Sequence, residues 1–379
     1  MIKFFACGDI VNKSGKHEIV EAELQHIISS CDISICNFEA PIYTQENNAI
    51  SKAGPHVYQY ENSIITLKNI GFNILSLANN HIYDYGDLAL KNTLDIISKQ
   101  GLLTVGAGKN FDDTYTPTII EKNNIKIGIL AACENEFGCL AEDENRSGYA
   151  WINHYKIDDT IRKIKSEVDF IIFIAHTGVE SIDVPLPEWR DRYKRLCDLG
   201  ANAVIGHHPH VPQGIEQYND SVIFYSLGNF YFDTVGFENK TDDSFSVVLN
   251  IKKNKNIDYE LVYHKKVNNQ TTLSTKESTN FSIEYLNNKL KDNYKEYINK
   301  LTIDLYNSRY LPYYQSALNA YPTNKSFLKK IFYFVKLILF QKRNTKERSL
   351  LLLHNIRIES HRFIVQRALS LLYEKNNDE

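Results

Sequence analysis

Short apolar runs alternate with helical patterns along most of the chain, and this alternation constrains the fold more than any other feature. The apolar runs are continuous, which is typical of strands that are covered on both faces of a sheet. They span residues 2–6, 33–36, 73–77, 125–131, 170–175, 203–205 and 222–226. The helical patterns span residues 17–28, 63–69, 88–99, 157–167 and 188–199. Strands that alternate with helices predict an α/β architecture.

The pattern changes near residue 240, where strands and helices no longer alternate. Residues 245–251 and 259–264 alternate between apolar and polar side chains, which predicts a hairpin. From residue 283 the chain reads as helical, with a last helix over residues 350–373. We therefore predict an α/β domain over residues 1–275 and a helical C-terminal extension over residues 276–379.

Composition and charge exclude several classes of protein. Hydrophobic residues make up 43% and charged residues 23%, so the chain can bury a core and is not disordered. The formal net charge of -3 provides no basic field for a nucleic-acid partner. The six cysteines form no C-x-x-C pair, and the sequence begins with a strand-like run instead of a signal peptide. We therefore expect reduced thiols and a cytoplasmic location.

One segment, residues 326–343, combines lysines with aromatic and aliphatic side chains. This composition suits a helix that lies on an anionic membrane surface, which would make the protein membrane-peripheral. A core-packing helix flanked by basic residues explains the same pattern, and we favour this second interpretation slightly. No run is apolar and long enough to cross a bilayer.

Polar residues cluster where five of the apolar runs end. The clusters are residues 7–9, 37–39, 78–81, 176–178 and 206–210, and the last of them reads Gly-His-His-Pro-His. Ligand sites in α/β sheets gather beyond the carboxyl ends of strands. The clusters therefore predict a single functional site, since three imidazoles in a Gly/Pro loop contribute little to packing.

The side chains in these clusters are those of a metal site. Carboxylates, an amide and imidazoles are present without a thiolate, which favours a catalytic Mn, Zn or Fe centre over a structural zinc site. A bridging carboxylate can hold two metal ions about 3.5–4 Å apart, where they clamp the oxygens of a transferring phosphoryl group. The sequence thus predicts a hydrolase with one or two divalent ions. The predicted ligands are Asp9, Glu39, Asn80, His176, His208 and His210.

Other residues near these clusters have predicted roles beside the metal. His81 can protonate a leaving alkoxide, and Asp84 lies three residues later, where it can orient the His81 imidazole. His207, Glu180 and Asn229 are predicted to contact the substrate. A solvated loop charge is an equal alternative for Glu180. For Asn229 the alternatives are a hydrogen bond to a ligand histidine or a turn.

The motifs that contain these residues occur together and in a fixed order. They are Gly8-Asp9-Ile10, Asn37-Phe38-Glu39-Ala40-Pro41, Ser76-Leu77-Ala78-Asn79-Asn80-His81 with Asp84-Tyr85-Gly86, His176-Thr177-Gly178, Gly206-His207-His208-Pro209-His210 and Tyr225-Ser226-Leu227-Gly228-Asn229-Phe230. In this order the sequence resembles the CapA family, which is associated with poly-gamma-glutamate capsule synthesis and belongs to the calcineurin-like metallophosphoesterases. The resemblance covers roughly residues 1–265, and the motifs together are highly specific.

The resemblance implies a fold and a set of roles. The fold is a four-layer α/β/β/α sandwich, with the metal centre at its loop edge. His81 would be the proton donor, whereas His207 lies outside the His-x-His spacing of the other two histidines in its loop. The implied ligands are Asp9 for the first metal, Glu39 as a bridge, Asn80 and His176 for the second metal, and His208 and His210 divided between the two.

The sequence departs from the family pattern within the predicted site. The first motif of these phosphoesterases is usually Asp-x-His, and this chain has Val11 at the third position. One expected ligand is therefore absent, and the site is open to one ion or to two. Thr177 stands where many relatives have Trp, and the N-terminus shows none of the membrane anchors that many relatives carry.

Three functions are consistent with these residues. The first is a metal-dependent phosphatase or related hydrolase of capsule or surface-polymer biosynthesis, with a phosphorylated or anionic polymer-related substrate. The second is a non-catalytic, polyanion-binding scaffold of a polymer synthesis or export complex, which the valine at position 11 keeps open. The third is a hydrolase of amide bonds in glutamyl polymers, since a metal site can also activate attack on a carbonyl. The sequence contains no Gly-rich phosphate loop for ATP, which disfavours a ligase.

Overall fold

The computed structural model describes residues 1–46, 48–234, 242–253, 256–318, 331 and 345–377. They form two compact units, the first made of Met1–Ile50 with His56–Asp292, and the second of Ser51–Pro55 with the described residues from Asn293 onward. Residues 276–292 thus lie in the first unit, because Asn287 accepts a hydrogen bond from the Ile215 amide (2.6 Å) and Leu290 packs against Gly214. The domain assignment 1–275 and 276–379 stays a prediction.

The strands of the first unit are short, apart from a long first strand and the strands of a C-terminal hairpin. All residues of the first strand except Lys3 are buried, which accounts for its continuous apolar sequence. The strands are β1 (Ile2–Val11), β2 (Ile33–Phe38), β3 (Ile74–Ser76), β4 (Leu103–Val105), β5 (Ala107–Gly108), β6 (Thr118–Lys122), β7 (Ile125–Cys133), β8 (Cys139–Leu140), β9 (Gly148–Ala150), β10 (Phe170–His176), β11 (Ala203–His207), β12 (Ile215–Tyr218), β13 (Ser221–Phe224), β14 (Asn229–Phe232), β15 (Ser244–Ile251), β16 (Asp258–Val267) and β17 (Gln270–Leu273).

Two large sheets carry the fold. The first is eight-stranded with the order β17-β16-β15-β1-β2-β3-β4, and β14 pairs with β1 in addition. The second is six-stranded with the order β12-β13-β11-β10-β7-β6, and a small three-stranded sheet joins β5, β9 and β8. Strands β1 to β4 run parallel to one another, as do β7, β10, β11 and β13. The carboxyl ends of these parallel strands therefore lie at one edge of each sheet.

The helices of the first unit follow the signals in their sequences. α5 buries Ile157, Ile161 and Ile164, which recur at the helical spacing. α6 begins with Pro187 in its first turn and is capped after Leu199 by Gly200, whose φ of 138° suits a glycine. The helices are α1 (Ala22–Ser29), α2 (Glu61–Ile70), α3 (Gly86–Lys99), α4 (Phe111–Tyr115), α5 (Tyr155–Ile164), α6 (Pro187–Leu199) and α7 (Ile283–Lys289).

The layers of the first unit follow the order helix, sheet, sheet, helix. α1 and α3 contact strands of the first sheet, and α6 contacts β11 and β13 of the second. The two sheets share one hydrophobic core. They meet at β1 and β11, where the His207 ring nitrogen Nε2 lies 3.1 Å from the Cys7 carbonyl oxygen. The predicted four-layer α/β/β/α sandwich is confirmed.

Most predicted elements of this unit have observed counterparts, including the hairpin of β15 and β16. The predicted helix over residues 17–28 is wrong at its start, because α1 begins at Ala22. The residues before it pair with the sheet instead, since the Thr271 amide donates to the Ile19 carbonyl (2.8 Å) and the Glu21 amide to the Thr271 carbonyl (3.0 Å). Apolar residues at positions 19 and 20 therefore pack as an extended segment. The spacing of apolar residues alone does not distinguish such a segment from the first turn of a helix.

The second unit is helical. Its described helices are α8 (Tyr294–Leu305), α9 (Leu311–Leu318), α10 (Thr345–Arg357) and α11 (Glu359–Asn377). The prediction of a single last helix over residues 350–373 is wrong, because the helical conformation is interrupted at Ile358, between α10 and α11. None of the helices in the described residues is long and apolar enough to cross a membrane. The candidate membrane-surface segment, residues 326–343, lies outside the described residues apart from residue 331.

Candidate metal centre

The six predicted ligands come from strand ends of both sheets and meet between them. The first sheet contributes a side chain from β1 and two from the loops after β2 and β3. The second sheet contributes the last residue of β10 and two histidines from the loop after β11. Because these parallel strands end at the same edge, residues far apart in sequence become neighbours. All six side chains are almost completely withdrawn from solvent: Asp9, Glu39, Asn80, His176, His208 and His210.

Five of these side chains form two overlapping sets with the spacing of metal ligands. One set is Glu39, His176 and His208, and the other is Asp9, Glu39 and His210, with ligand atoms within 4.8 Å of one another in each. Glu39 belongs to both, and its Oε1 lies 3.8 Å from His176 Nε2 and 3.8 Å from His210 Nε2. This arrangement supports Glu39 as the shared carboxylate, while the individual ligand roles stay predictions.

Glu39 is a buried carboxylate that no lysine or arginine of the described residues balances. Its Oε1 accepts no hydrogen bond from the described residues, and its Oε2 accepts only a long one from Asn37 (3.3 Å). None of the described lysine or arginine side chains forms an ion pair with Glu39 or Asp9. Burial, and then the charge of Asp9, raises the pKa of Glu39 well above its usual value. A divalent cation would relieve this desolvated charge, so the residues present fit such an ion.

The histidines of the first set are held in their neutral form. Burial, and then the nearby His208, lowers the pKa of His176 well below its usual value. Burial also lowers the pKa of His208 to about 4. His176 Nε2 lies 3.1 Å from Asn80 Oδ1 and 3.1 Å from His208 Nδ1. Imidazole nitrogens and an amide oxygen are atom types that bind divalent cations, and neutral imidazole is the form that binds metal.

His210 is oriented by a chain of hydrogen bonds that leads away from the centre. Its Nδ1 lies 2.9 Å from Asn229 Oδ1 and 3.3 Å from Asp9 Oδ2, so Nδ1 carries the proton and Nε2 faces Glu39. Asn229 Nδ2 in turn donates to Asp242 (3.2 Å), which pairs with Lys266 Nζ at 2.7 Å. Asn229 was predicted to contact the substrate or a ligand histidine. The structure shows the second of these contacts, a hydrogen bond to His210.

Asp9 and His210 also shift each other's ionisation. Burial lowers the pKa of His210, but the hydrogen bond and charge of Asp9 outweigh burial and raise it from its ordinary value. Burial likewise raises the pKa of Asp9, but the hydrogen bond from His210 and the charges of the surrounding histidines bring it well below its usual range. Asp9 is thus ionised, as a metal ligand must be.

The backbone of this centre is unusually tight. His208 has φ of 96° and His210 has φ of 58°. Residues other than glycine rarely adopt positive φ angles of this kind. A Cβ atom at Gly8 would lie 1.8 Å from the Gly228 carbonyl oxygen, so only glycine allows β1 to approach this turn. The Asp9 amide then donates to that same oxygen (3.1 Å). Strain and close packing together hold the ligand loops in one geometry.

The predicted proton donor lies in the adjacent loop. His81 Nδ1 is 2.7 Å from Asp84 Oδ2, and the same oxygen accepts the Val57 amide at 2.7 Å. Asp84 is fully buried, and His81 is 7% exposed. A carboxylate fixed in this way holds the ring and its tautomer, so that a proton would be transferred at Nε2.

The remaining predicted site residues have different surroundings. His207 Nε2 donates to the Cys7 carbonyl, and its buried Nδ1 forms no hydrogen bond in the described part of the chain, so its ring lies in the packing between the sheets. Glu180 is exposed in the loop after β10, close enough for its charge to raise the pKa of His208 and His210.

Position 11 is apolar, as the sequence indicated. Val11 is fully buried and packs with Ala40, Val57 and Phe232 in a small hydrophobic cluster. The Phe232 ring centre lies 4.8 Å from that of His210. Hydrocarbon therefore surrounds position 11, where the usual motif has a histidine.

Two acidic residues beside the centre were missed in the sequence. Glu134 and Glu136 are buried after β7, and they form a third set of potential ligands with His208, again within 4.8 Å. Glu134 Oε1 accepts the Gly178 amide (2.9 Å), which ties it to the β10 loop. The signal was available, because these residues follow an apolar run as the five recognised clusters do.

The two-sheet sandwich, with these side chains gathered at its carboxyl edge, has the α/β/β/α architecture of the metallophosphoesterase fold. The chain belongs to the family described as bacterial capsule synthesis protein PGA_cap, whose family model matches residues 3–234. The resemblance to the CapA family that the motifs indicated is confirmed.

Among curated proteins, the chain is similar to the PGA biosynthesis protein CapA of Bacillus subtilis (strain 168), with 34% identity over 232 residues, 61% of this chain and 60% of that protein. It is 31% identical over 252 residues to the capsule biosynthesis protein CapA of Bacillus anthracis, covering 65% of this chain and 61% of that protein. The matches thus span less than two thirds of the length of these relatives.

Two solved structures to which the chain is similar are a putative 5'-nucleotidase from Staphylococcus aureus and a 5'-nucleotidase precursor from Thermus thermophilus. The first has a TM-score of 0.45 and 16% identity, and covers 77% of this chain and 58% of that one. The second has a TM-score of 0.43 and 10% identity, and covers 76% of this chain and 57% of that one.

Proposed function

We propose that this protein is a metal-dependent phosphoric ester hydrolase of capsule or surface-polymer biosynthesis. The observation that carries the proposal is the buried Glu39 carboxylate, which has no lysine or arginine partner among the described residues and is shared by two histidine-containing ligand sets. A structural carboxylate would be neutralised by the protein itself. Membership of the capsule synthesis family supports the biological setting.

The ligand sets indicate which residues would hold the ions. Glu39, His176 and His208 with Asn80 would hold one, and Asp9, Glu39 and His210 would hold another. Bound divalent ions would supply Lewis-acid stabilisation of the charge on a transferring phosphoryl group. Oxygen and nitrogen ligands without thiolate favour Mn, Zn or Fe.

The protein's own residues supply the proton transfer. Asp84 holds the His81 ring through Nδ1, so that Nε2 can give a proton to the oxygen of the departing alcohol. The Val57 amide fixes the same Asp84 oxygen, which keeps the pair in one geometry. Phosphorylated or anionic polymer-related molecules are the substrates that such a site suits.

A second candidate is a non-catalytic protein that binds a polyanion within a synthesis or export complex. Val11 favours it, because hydrocarbon fills the place of one ligand of the usual phosphoesterase site. The two candidates differ in what removal of His81 does, since a binding protein needs no proton donor.

The test combines metal analysis with hydrolysis of an alkyl phosphate, glycerol 1-phosphate, in the presence of Mn²⁺. An alkoxide is a poor leaving group, so its departure needs the proton that His81 would give. We expect bound divalent metal in the purified protein and a turnover rate that falls about 10²–10⁴-fold in His81→Ala, while the metal content is unchanged. The variant Tyr155→Ala, on an exposed side chain of the second sheet's helix layer, serves as a control. Bound metal without hydrolysis of any phosphate ester would reject the hydrolase and favour the binding protein.

A further inference from the structure

Four tyrosines form an aromatic surface in the loops of the first sheet, and we call Tyr43, Tyr58, Tyr60 and Tyr85 the tyrosine platform. Tyr58 is at its centre, with ring centres 4.9 Å from Tyr43, 5.6 Å from Tyr60 and 5.7 Å from Tyr85. Tyr60 is 44% exposed, and the other three rings are partly exposed. A core cluster would exclude water from these rings, so this surface is available to a ligand.

The platform lies at the same sheet edge as the candidate metal centre. Tyr43 follows Glu39 in the loop after β2, and Tyr85 follows His81 in the loop after β3. The chain around Gln59 is paired with the Glu39 loop, since the Gln59 amide donates to the Pro41 carbonyl (3.0 Å). The loops that supply the predicted ligands and proton donor therefore also supply the platform.

Val57 connects the platform to the candidate metal centre. Val57, which precedes Tyr58, donates its amide to Asp84, the partner of His81. The Val57 side chain packs in the apolar cluster with Phe232, whose ring contacts that of His210. A substrate whose ester is held at the metal centre would thus have its alcohol portion near the tyrosine platform.

The shape of the platform selects among ligands. The ring pairs Tyr43–Tyr85, Tyr58–Tyr60 and Tyr58–Tyr85 meet at 74°, 79° and 88°, so no parallel-walled slot is present at these pairs for a flat base. A pyranose ring presents apolar C–H faces and a hydroxyl rim, which match ring faces of partial negative charge bordered by phenol hydroxyls. Lys13 Nζ lies 5.0 Å from the Tyr58 ring centre and adds one positive charge.

We propose that the tyrosine platform binds the hexose ring of a sugar phosphate whose phosphate occupies the candidate metal centre. The proposal rests on the proposed ester hydrolysis and specifies its substrate class. A polyglutamate chain would call for several cations, whereas Lys13 is the one whose cation–aromatic contact the described residues show at this surface.

The kinetic test compares a substrate that has a ring with one that has none. Hydrolysis of glucose 6-phosphate and of glycerol 1-phosphate is measured with Mn²⁺ for the wild type, Tyr58→Leu, Tyr60→Ala and the control Tyr155→Ala, whose side chain is 66% exposed. We expect the KM for glucose 6-phosphate to rise roughly tenfold in the platform variants, with kcat and the KM for glycerol 1-phosphate unchanged. Equal changes in KM for both substrates, or none for either, would overturn the proposal.

A binding test separates failure of this proposal from failure of the proposed hydrolysis. Saturation-transfer NMR with methyl α-glucoside requires no turnover and no metal. We expect transfer from aromatic protons to the C–H protons of the sugar in the wild type and in Tyr155→Ala, and a loss of most of it in Tyr58→Leu. If the wild type shows no transfer, or if adenosine binds in place of the sugar and loses binding in Tyr58→Leu, the sugar site is rejected.

Discussion

Glu39 and Glu216 are both largely buried glutamates of the first unit, yet their surroundings are opposite. Glu216 accepts hydrogen bonds from Arg190 (2.9 and 2.8 Å) and from the Tyr225 hydroxyl (2.7 Å), and it pairs with Lys194 at 2.9 Å. Burial raises the pKa of Glu216, but these donors outweigh it and lower the pKa to about 2. Glu39 has no such donors among the described residues, and its pKa is raised.

The difference shows how the chain uses buried charge. In the Glu216 cluster the cations are part of the fold, so the carboxylate contributes to stability whether or not anything is bound. In the candidate metal centre a cation would have to come from solution, so burial of the same type of side chain is unfavourable unless an ion binds. The contrast supports Glu39 as the functional carboxylate by an argument that uses no motif.

The largest expected effect comes from replacing the unbalanced carboxylate. Glu39→Gln keeps the shape but removes the shared negative charge, so we expect the affinity for Mn²⁺ to fall by at least about 100-fold, with hydrolysis of phosphate esters falling in parallel. Metal content after dialysis and titration of the apoprotein would measure it. Glu216→Gln, the same substitution in the balanced cluster, should leave the affinity unchanged. Retention of the full metal content by Glu39→Gln would remove the basis of the comparison.

The converse experiment concerns stability. Glu216→Gln leaves Arg190 and Lys194 without their carboxylate, and we expect the free energy of unfolding to fall by about 3 kcal/mol, with or without metal. Urea unfolding can be followed through the fluorescence of Trp189, which is buried beside Arg190 in α6. In metal-free protein, Glu39→Gln should cause no loss of this size. Comparable losses in both variants would mean that Glu39 is compensated within the fold.

The comparison also predicts a pH window. Because the pKa of Glu216 is about 2 in the folded state and near 4.5 when unfolded, its contribution is complete above pH 4.5. It is lost as the pH falls from 4.5 towards 2. The difference in unfolding free energy between the wild type and Glu216→Gln should therefore shrink over this range. A difference that stays constant between pH 6 and pH 3 would contradict the assignment of the low pKa.

The sequence predicted the sheets and the ligand types because both are local signals. Continuous apolar runs mark buried strands, and a polar residue directly after such a run marks the functional edge, as with Asp9 and His176. Contacts set by tertiary packing left no such trace. The pairing of residues 19–21 with β17, and the contact of Asn229 with Asp242, join segments whose partners a linear pattern does not specify.

Glu134 and Glu136 fall between these cases. They follow β7 as the recognised clusters follow their strands, but a Glu-Asn-Glu sequence is also typical of a solvated loop. Only the packing of the β10 loop, through the Gly178 amide, shows that Glu134 is buried beside His208. The sequence therefore located the sheet edge correctly and underestimated how much buried negative charge gathers there.

The smallest effect is expected at Asp242, a carboxylate that is paired within the fold and also linked to the candidate metal centre. Asp242 is balanced by Lys266 and also holds Asn229, which orients His210, so it acts on the metal centre through two hydrogen bonds. Removing its charge in Asp242→Asn should lower the Mn²⁺ affinity about tenfold without abolishing binding, because the ligands themselves are retained. Asp158→Asn is the matched control, since Asp158 pairs with Arg192 at 2.7 Å in the helix layer of the second sheet. Titration of both apoproteins at equal folded fraction would decide. An affinity loss of the same size in both variants would reduce the role of Asp242 to general stability. A loss in Asp242→Asn alone would show that the Asp242–Lys266 ion pair also orients His210, the histidine that faces Glu39.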